Sequence, residues 1–511
     1  MEKSRKQATA KNITFSLIYQ IITVIMGFII PQLFLNIYGP KIHGLTSSIT
    51  NIISYVLLLT AGLNAASIQA LYVPLSKNEI TRINQVLNAI KQYYYRISLV
   101  LFVVISLISF ILPIFIKDVP TSTVFLLMLI MGMQSTLDCY LVSKYRILLQ
   151  ADQKLYINVI INIILIFIRG ILQIFLIINE CSVIIVQAIP TLMIFVLWIF
   201  QLIYVRKHYP FLNKKIRPDK SALSKRWAAF IHQIAGLIVN NVDILLLTLL
   251  GDMILVSIYS VYQMVFSHIN NMMTSVFSQG TVASFGHLMG TDNKISLRKN
   301  YNVFELFYFI IVSIVFSITA TMMLPFVQIY TSDVKNVNYF DLKLVILFVT
   351  IAVANNLRVP GLMLINAGGF YKETLWRALI ESALKLISSI ILMNYWGIYG
   401  ILFGSVVSFA YRTVDIIFFS NKYILNQSSA RTFYRSLRVI IVILINVFVF
   451  NIISPYNISS WPKWIIITTI VGIYSSITTL IVNIVFDFKT LKDIFSFLKI
   501  ILKINFRRKK I

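Results

Sequence analysis

Four cations lie inside long apolar runs of this 511-residue sequence: Arg169, Arg358, Lys385 and Arg412. A charge at the centre of a membrane helix costs about 2.5 to 3.5 kcal/mol on insertion scales, so such residues face a cavity or a partner. Their neighbours are amides and hydroxyls. Asn158, Asn162, Arg169 and Gln173 share an arc of about 60° at about 100° per residue. Gln263, Ser267, Asn270, Thr274 and Ser278 form a second stripe without charge, while Arg377, Glu381, Lys385 and Ser389 follow one another at i+4. Ser405, Ser408, Arg412 and Asp415 share the next apolar run. The stretch Asn355-Asn356-Leu357-Arg358-Val359-Pro360 sets a cation against a helix breaker that frees a carbonyl, which predicts a bend lining a cavity.

Two kinds of chemistry fit these groups. One is binding of a polar, anionic ligand by Arg169, Arg358, Lys385 and Arg412, with Asn158, Asn162, Gln173, Gln263, Asn270 and Asn355 as polar lining. The other is structural pairing: Glu381 with Lys385, Arg412 with Asp415, and Asp138 and Asp243 as interhelical counter-ions for Arg169 and Arg358. The same four acids are the candidates for ion coupling. Catalytic constellations are missing: there is no P-loop, no glycine-rich nucleotide fingerprint and no H-E-x-x-H, and the five histidines are scattered. We therefore expect a non-enzyme without cofactor or metal. Cys139 and Cys181 lie in or beside apolar runs, where small-residue packing is the expected role.

The elements that carry these residues follow from composition. The chain is 58% hydrophobic and 12% charged, with a mean hydropathy of +0.83, so lipid must be the solvent for much of it. Long apolar runs without period-2 alternation predict an all-α integral membrane protein. Fourteen spans are expected near 13–38, 43–72, 93–116, 121–148, 155–178, 182–205, 227–250, 253–285, 303–328, 341–367, 374–394, 397–419, 437–456 and 464–486. The first is too long for a signal-peptide core and has no A-x-A site, so it is read as an uncleaved helix. The net charge of +27 sits in loops, which points to a membrane surface and not to nucleic acid. With both termini cytoplasmic, 36 of the 45 Lys and Arg fall on the inner side, five on the outer side and four within spans, as the positive-inside rule requires.

Shifting the chain by 216 residues lays spans one to six on spans seven to twelve, odd on odd and even on even, so the repeat is parallel. Gln150-Ala151 then falls on Asn366-Ala367, Arg169 on Lys385 and Arg206 on Lys422. The expected organisation is an N-lobe (1–205), a basic cytoplasmic linker (206–226), a C-lobe (227–422) and two added spans (423–486). A basic amphipathic tail (487–511) is expected to lie on anionic phospholipid, with Phe488, Leu491, Phe495, Leu498 and Leu502 towards the bilayer.

The segment Gly62-Leu63-Asn64-Ala65-Ala66-Ser67-Ile68-Gln69-Ala70-Leu71-Tyr72-Val73-Pro74-Leu75, followed by Leu149-Gln150-Ala151-Asp152-Gln153-Lys154, resembles bacterial oligosaccharide flippases of the polysaccharide biosynthesis family. These belong to the multidrug, oligosaccharidyl-lipid and polysaccharide exporter superfamily. The resemblance implies two six-helix lobes around a lumen that opens alternately to each side of the cytoplasmic membrane. It implies an undecaprenyl-diphosphate-linked oligosaccharide as cargo, moved outward for capsule, exopolysaccharide or O-antigen assembly, and a polysaccharide polymerase and other assembly proteins as partners. The polar stripes suit such a cargo, since arginine forks match phosphate oxygens and amides match sugars. Lipid II flippases carry arginines in spans one, two and eight, and none is present there, so that site does not transfer. Drug exporters of the superfamily carry an acid in span one; this chain has none, and Asp243 in span seven keeps a multidrug antiporter as the alternative. A membrane glycosyltransferase or polymerase would need a long, charged outer loop, whereas the longest here, 329–340, holds Asp333 and Lys335 alone.

Overall fold

The computed structural model describes residues 2–60, 63–213, 216–219, 226–291, 293–453 and 458–508; side chains are described within 14–494 except at 65, 226–235, 278–280, 451 and 453. Phe495, Leu498 and Leu502 of the expected tail face, and the side chain of Ser278, therefore lie outside the described residues. Sixteen α-helices and no strand occur among them. Ten helices or helix runs are long and apolar enough to cross a membrane, again among the described residues.

Contacts divide the chain into two units, residues 1–260 with 333–337, and residues 261–332 with 338–511. Unit 1 begins with α1 (Glu2–Val56), which bends at Gly39. The loop expected between spans one and two is thus only a kink: φ is +81° there, a backbone that glycine adopts without cost. Span two is then interrupted by a 3₁₀ turn, Leu57–Thr60, before α2 (Leu63–Ser76). α3 (Ile80–Phe115), α4 (Thr121–Leu137), α5 (Ser143–Ala151), α6 (Leu155–Ile178), α7 (Val183–His208) and α8 (Arg226–Leu249) complete unit 1 with the start of α9 (Met253–Gly290). Polar side chains on α1 fasten that start and α8: His43 meets Ser257 at 2.8 Å, Thr248 donates to Ser48 at 2.7 Å and Asn51 donates to Asn241 at 3.2 Å. A Cβ at Gly44 would stand 1.9 Å from the Met253 carbonyl oxygen, so only glycine permits this approach.

Unit 2 continues with α10 (Lys294–Tyr330), α11 (Leu342–Leu357), α12 (Val359–Gly368), α13 (Tyr371–Trp396), α14 (Ile398–Phe418), α15 (Ala430–Ile453) and α16 (Trp461–Arg508). α16 breaks at Asp487. Beyond the break, Leu491 and Ile494 bury against Leu306 and Ile310 of α10. The start of the tail thus spends Leu491 on protein packing, a correction to its expected place against lipid; Phe488 is exposed.

The 216-residue offset recurs in the backbone. α6 starts at Leu155 and α13 at Tyr371, and each is preceded by a left-handed residue at the same offset, Gln153 (φ +59°) and Gly369 (φ +71°). The predicted fourth and tenth spans both break in their middle, at a π-helical segment Asp138–Val142 and at Arg358 respectively. The second break is the bend that Pro360 predicts.

Candidate functional site

α13 and α14 pack more closely than any side chain larger than hydrogen allows at Gly404, where a Cβ would fall 2.4 Å from Ser389 Oγ. Serines zip the pair: Ser389 donates to the Ile401 carbonyl at 3.1 Å and Ser408 to the Glu381 carbonyl at 2.9 Å. This contact sets the charged residues of both helices side by side, and the α11–α12 break adds Arg358.

The result is one ionic chain. Arg358 Nη1 lies 2.5 Å from Glu381 Oε1, Arg412 Nε 3.4 Å from Glu381 Oε2, and Arg412 Nη1 2.6 Å from Asp415 Oδ2. Arg377 closes it on the other oxygen of Asp415. Arg358 also forks onto Asn355, donating from Nε (3.1 Å) and Nη2 (2.8 Å) to one amide oxygen. Its guanidinium stands 4.8 Å from the ring centre of Phe409, and Lys385 Nζ stands 5.7 Å from the same ring. Exposure is 12% for the Arg358 side chain, 7% for Glu381 and 6% for Arg412, so these are desolvated charges whose cost only partners repay. Four cations, Arg358, Arg377, Lys385 and Arg412, are gathered with two carboxylates, Glu381 and Asp415.

The pairing adds to or departs from the sequence expectation in three places. Glu381, expected one turn from Lys385, receives Arg358 and Arg412, because the α11–α12 break and the α13–α14 contact bring their longer side chains to it. Asp243, expected opposite Arg358, accepts from Tyr259 at 2.9 Å. Asp138, expected opposite Arg169, holds Arg146 at 2.5 Å, two helical turns along its own broken span. Arg412 and Asp415 do pair as their i+3 spacing predicts.

In unit 1 the α6 stripe faces its neighbour helices. Gln201 of α7 donates to Asn158 at 2.8 Å, Gln173 donates to the Val186 carbonyl at 3.4 Å, and Asn162 bonds back to the Asn158 carbonyl. Arg169 is different. Its Nε is buried without a hydrogen-bond partner, and among the described residues it joins no ion pair. Asn158 Nδ2 and Gln201 Oε1 are buried and unmatched too, which leaves polar capacity along this face of α6.

The α9 stripe mostly satisfies itself. Ser267 and Thr274 donate to carbonyls of their own helix, Gln263 is half-buried, and Asn270 accepts from Asn356 of α11 at 2.7 Å. Asn356, not its neighbour Asn355, is the bridge here, since its oxygen also accepts from Tyr308 at 2.8 Å.

A second ionic cluster was not foreseen from the sequence. Glu305 of α10, fully buried, holds Arg435 of α15 at 2.8 Å; Arg435 reaches Asp487 of α16 at 2.7 Å, and Arg431 reaches it at 3.2 Å. Thr432 donates to Glu305 at 2.7 Å. The available signal was an acid at the rim of span nine in a chain with only 18 acids, but which basic loop residue it meets depends on helix packing. This cluster ties α15 and α16 to α10.

No family model matches the chain, and neither does any curated protein sequence. Solved structures do match. The lipid II flippase MurJ in its inward closed conformation is similar over 92% of this chain and 99% of its own, with a TM-score of 0.65 and 15% identity. An inward-facing multidrug resistance MATE family transporter of the MOP superfamily covers 78% of this chain and 93% of its own (TM-score 0.63, 13% identity). An outward-facing one covers 81% and 95% (TM-score 0.55, 13% identity). The likeness is one of fold: this is an all-α, multi-pass membrane protein with the fold of MOP-superfamily transporters.

Proposed function

We propose that the protein is a flippase that carries an undecaprenyl-diphosphate-linked oligosaccharide repeat unit from the inner to the outer leaflet of the bacterial cytoplasmic membrane, for capsule, exopolysaccharide or O-antigen assembly. The observation that carries this reading is the charge imbalance of the membrane-embedded polar groups. Three arginines share two carboxylates in α11–α14, Lys385 lies against the same Phe409 ring as Arg358, and Arg169 has a buried, unmatched Nε. A diphosphate supplies the missing negative charge, and Arg169, Arg358, Lys385 and Arg412 are the groups proposed to attract it. A cationic drug would meet repulsion from the same residues. The fold shared with MurJ supports the reading at the level of architecture.

Alternating access of the repeat-defined lobes, 1–205 and 227–422, is the proposed mechanism, with the lipid tail remaining in the bilayer. Fourteen crossings are the matching topology, with both termini cytoplasmic. The apolar stretch Thr14–Thr60 is about 70 Å long at 1.5 Å per residue, more than twice a hydrocarbon core of about 30 Å, so bent at Gly39 it supplies two crossings. α8, α9 and α13 bring the number to fourteen.

The test is complementation of a deletion strain. Arg169→Ala is expected to abolish surface polysaccharide while protein level stays unchanged, and Arg169→Lys to restore part of it. Normal polysaccharide in Arg169→Ala and Arg358→Ala strains overturns the reading. The competing multidrug antiporter rests on the buried Asp243 carboxylate and the shared MATE fold; it requires drug sensitivity with intact polysaccharide in the deletion strain.

A further inference from the structure

The described part of the basic segment after α7 is strapped to α3 within unit 1. Asn84 donates to the Phe211 carbonyl at 3.1 Å and accepts from the Asn213 amide at 2.6 Å. Asn88 donates to the carbonyls of Asn213 (3.1 Å) and Ile216 (2.8 Å), and the Asp219 amide donates to the Gln85 carbonyl at 3.2 Å. Behind this strap lies a cavity of about 190 Å³. Lys91 of α3, Lys144 of α5 and Arg206 of α7 all line it, and among the described residues no Asp or Glu does.

Helical spacing explains the convergence. Asn84, Asn88 and Lys91 recur at i, i+4 and i+7 on α3, and Leu202, Arg206 and Tyr209 at the same intervals on and just past α7, so each element turns one cation to the same space. The amides are used on backbone groups of the strap, and the Tyr209 hydroxyl is given to Asp152 at 2.5 Å, a carboxylate that also holds Lys154 at 2.7 Å. Lys91 and Arg206 are exposed cations of the lining, and Lys144 stands 4.6 Å from the Tyr145 ring centre beside them. Topology alone accounts for basic residues at this end of the helices. It does not account for three of them, from three helices, around one cavity.

We infer that this cavity binds a phosphate-bearing anion at the end of unit 1 that the charge tally assigns to the cytoplasm. Two lysines and one arginine suit a phosphate oxyanion, the lysines as point charges and the arginine as a fork. A phospholipid headgroup and a soluble phosphate present the same chemistry. The inference stands apart from the transport reading, which rests on α6 and α11–α14.

The experiment is calorimetric titration of inorganic pyrophosphate into the full chain in phosphatidylcholine nanodiscs. Saturable binding is expected, weakened about tenfold or more in K91Q/R206Q. The control K77Q/K372Q removes equal charge from exposed residues outside the lining and is expected to change affinity less than about twofold. The charge-keeping pair K91R/R206K is expected to stay within about threefold, which separates lost charge from lost fold. Absence of saturable binding by the wild type, or equal weakening by K91Q/R206Q and K77Q/K372Q, overturns the site. Repeating the titration with phosphatidylglycerol in the nanodisc identifies the source: competition marks a headgroup site, and unchanged affinity marks a soluble ligand.

Discussion

Helices α11–α12, α13 and α14 of unit 2 enclose Arg358, Arg377, Glu381 and Arg412. The residues 216 positions earlier, on the broken fourth span, α6 and α7 of unit 1, are Val142, Ile161, Leu165 and Val196. Those four belong to one apolar cluster around Val142, Leu165, Ile194 and Leu197. At these four positions the same trio of helices carries hydrocarbon in unit 1 and a chain of ion pairs in unit 2. Hydrocarbon carries no desolvation penalty, and exchanging a buried ion network for well-packed apolar residues is often neutral or stabilising. Unit 1 demonstrates that packing this trio does not require charge at these four positions. The charges in unit 2 are thus poorly explained by stability, and the ligand proposed above gives them another role. One position is alike in both halves: Arg169 and Lys385 correspond at the same offset, so each trio carries a cation there.

The unit 1 solution can be written into unit 2. The variant R358V/R377I/E381L/R412V/D415I is expected to lose polysaccharide export entirely while its thermal midpoint holds or rises, corresponding to about 0 to 4 kcal/mol of stabilisation. Export that survives assigns the network to structure. Removing a single partner does the opposite. Glu381→Gln leaves Arg358 and Arg412 facing a neutral amide and is expected to cost about 3–5 kcal/mol, read as a lowered midpoint in detergent. Its apolar counterpart Leu165→Ala is expected to cost about 2–4 kcal/mol through the cavity it opens.

Away from the ion chain and its apolar counterpart the effects shrink. Asn356→Ala orphans the Tyr308 hydroxyl and the Asn270 oxygen, at about 1–3 kcal/mol in the same assay. Tyr209→Phe, which leaves Asp152 to Lys154 alone, is expected to cost about 0.5–1.5 kcal/mol. Burial, and then the Asp152 hydrogen bond, hold the Tyr209 phenol above its ordinary range. Folding therefore favours the neutral form. That contribution is complete below the usual tyrosine value of about 10 and is lost as pH rises through the higher folded value. A wild-type advantage over Tyr209→Phe that grows with pH contradicts this assignment.

Much of the architecture was legible because lipid imposes a simple rule: apolar runs of about 20 residues must be helical. The bend at Arg358 was legible too, since Pro360 removes a donor and clashes with the preceding turn. The π-helical break at Asp138–Val142 was not, because nothing in its residues forbids a regular helix. The destinations of the acids were the least legible. Glu381 lies one turn from Lys385 in sequence, yet its oxygens receive Arg358 and Arg412 from two other elements. Glu305, Arg435 and Asp487 lie in three separate segments and meet through the packing of α10, α15 and α16.

Residue order alone identified a helical membrane chain, the residues that carry charge into its apolar runs, and the 216-residue offset that relates Arg169 to Lys385. Those properties are local, set by hydropathy, helical period and the cost of a charge in lipid. Helix packing set which charges neutralise one another, left Arg169 Nε unmatched, and brought Lys91, Lys144 and Arg206 around one cavity. Such relations depend on how closely separate helices approach, as Gly404 lets α14 approach α13, and distance between helices is not written in the spacing along any one of them.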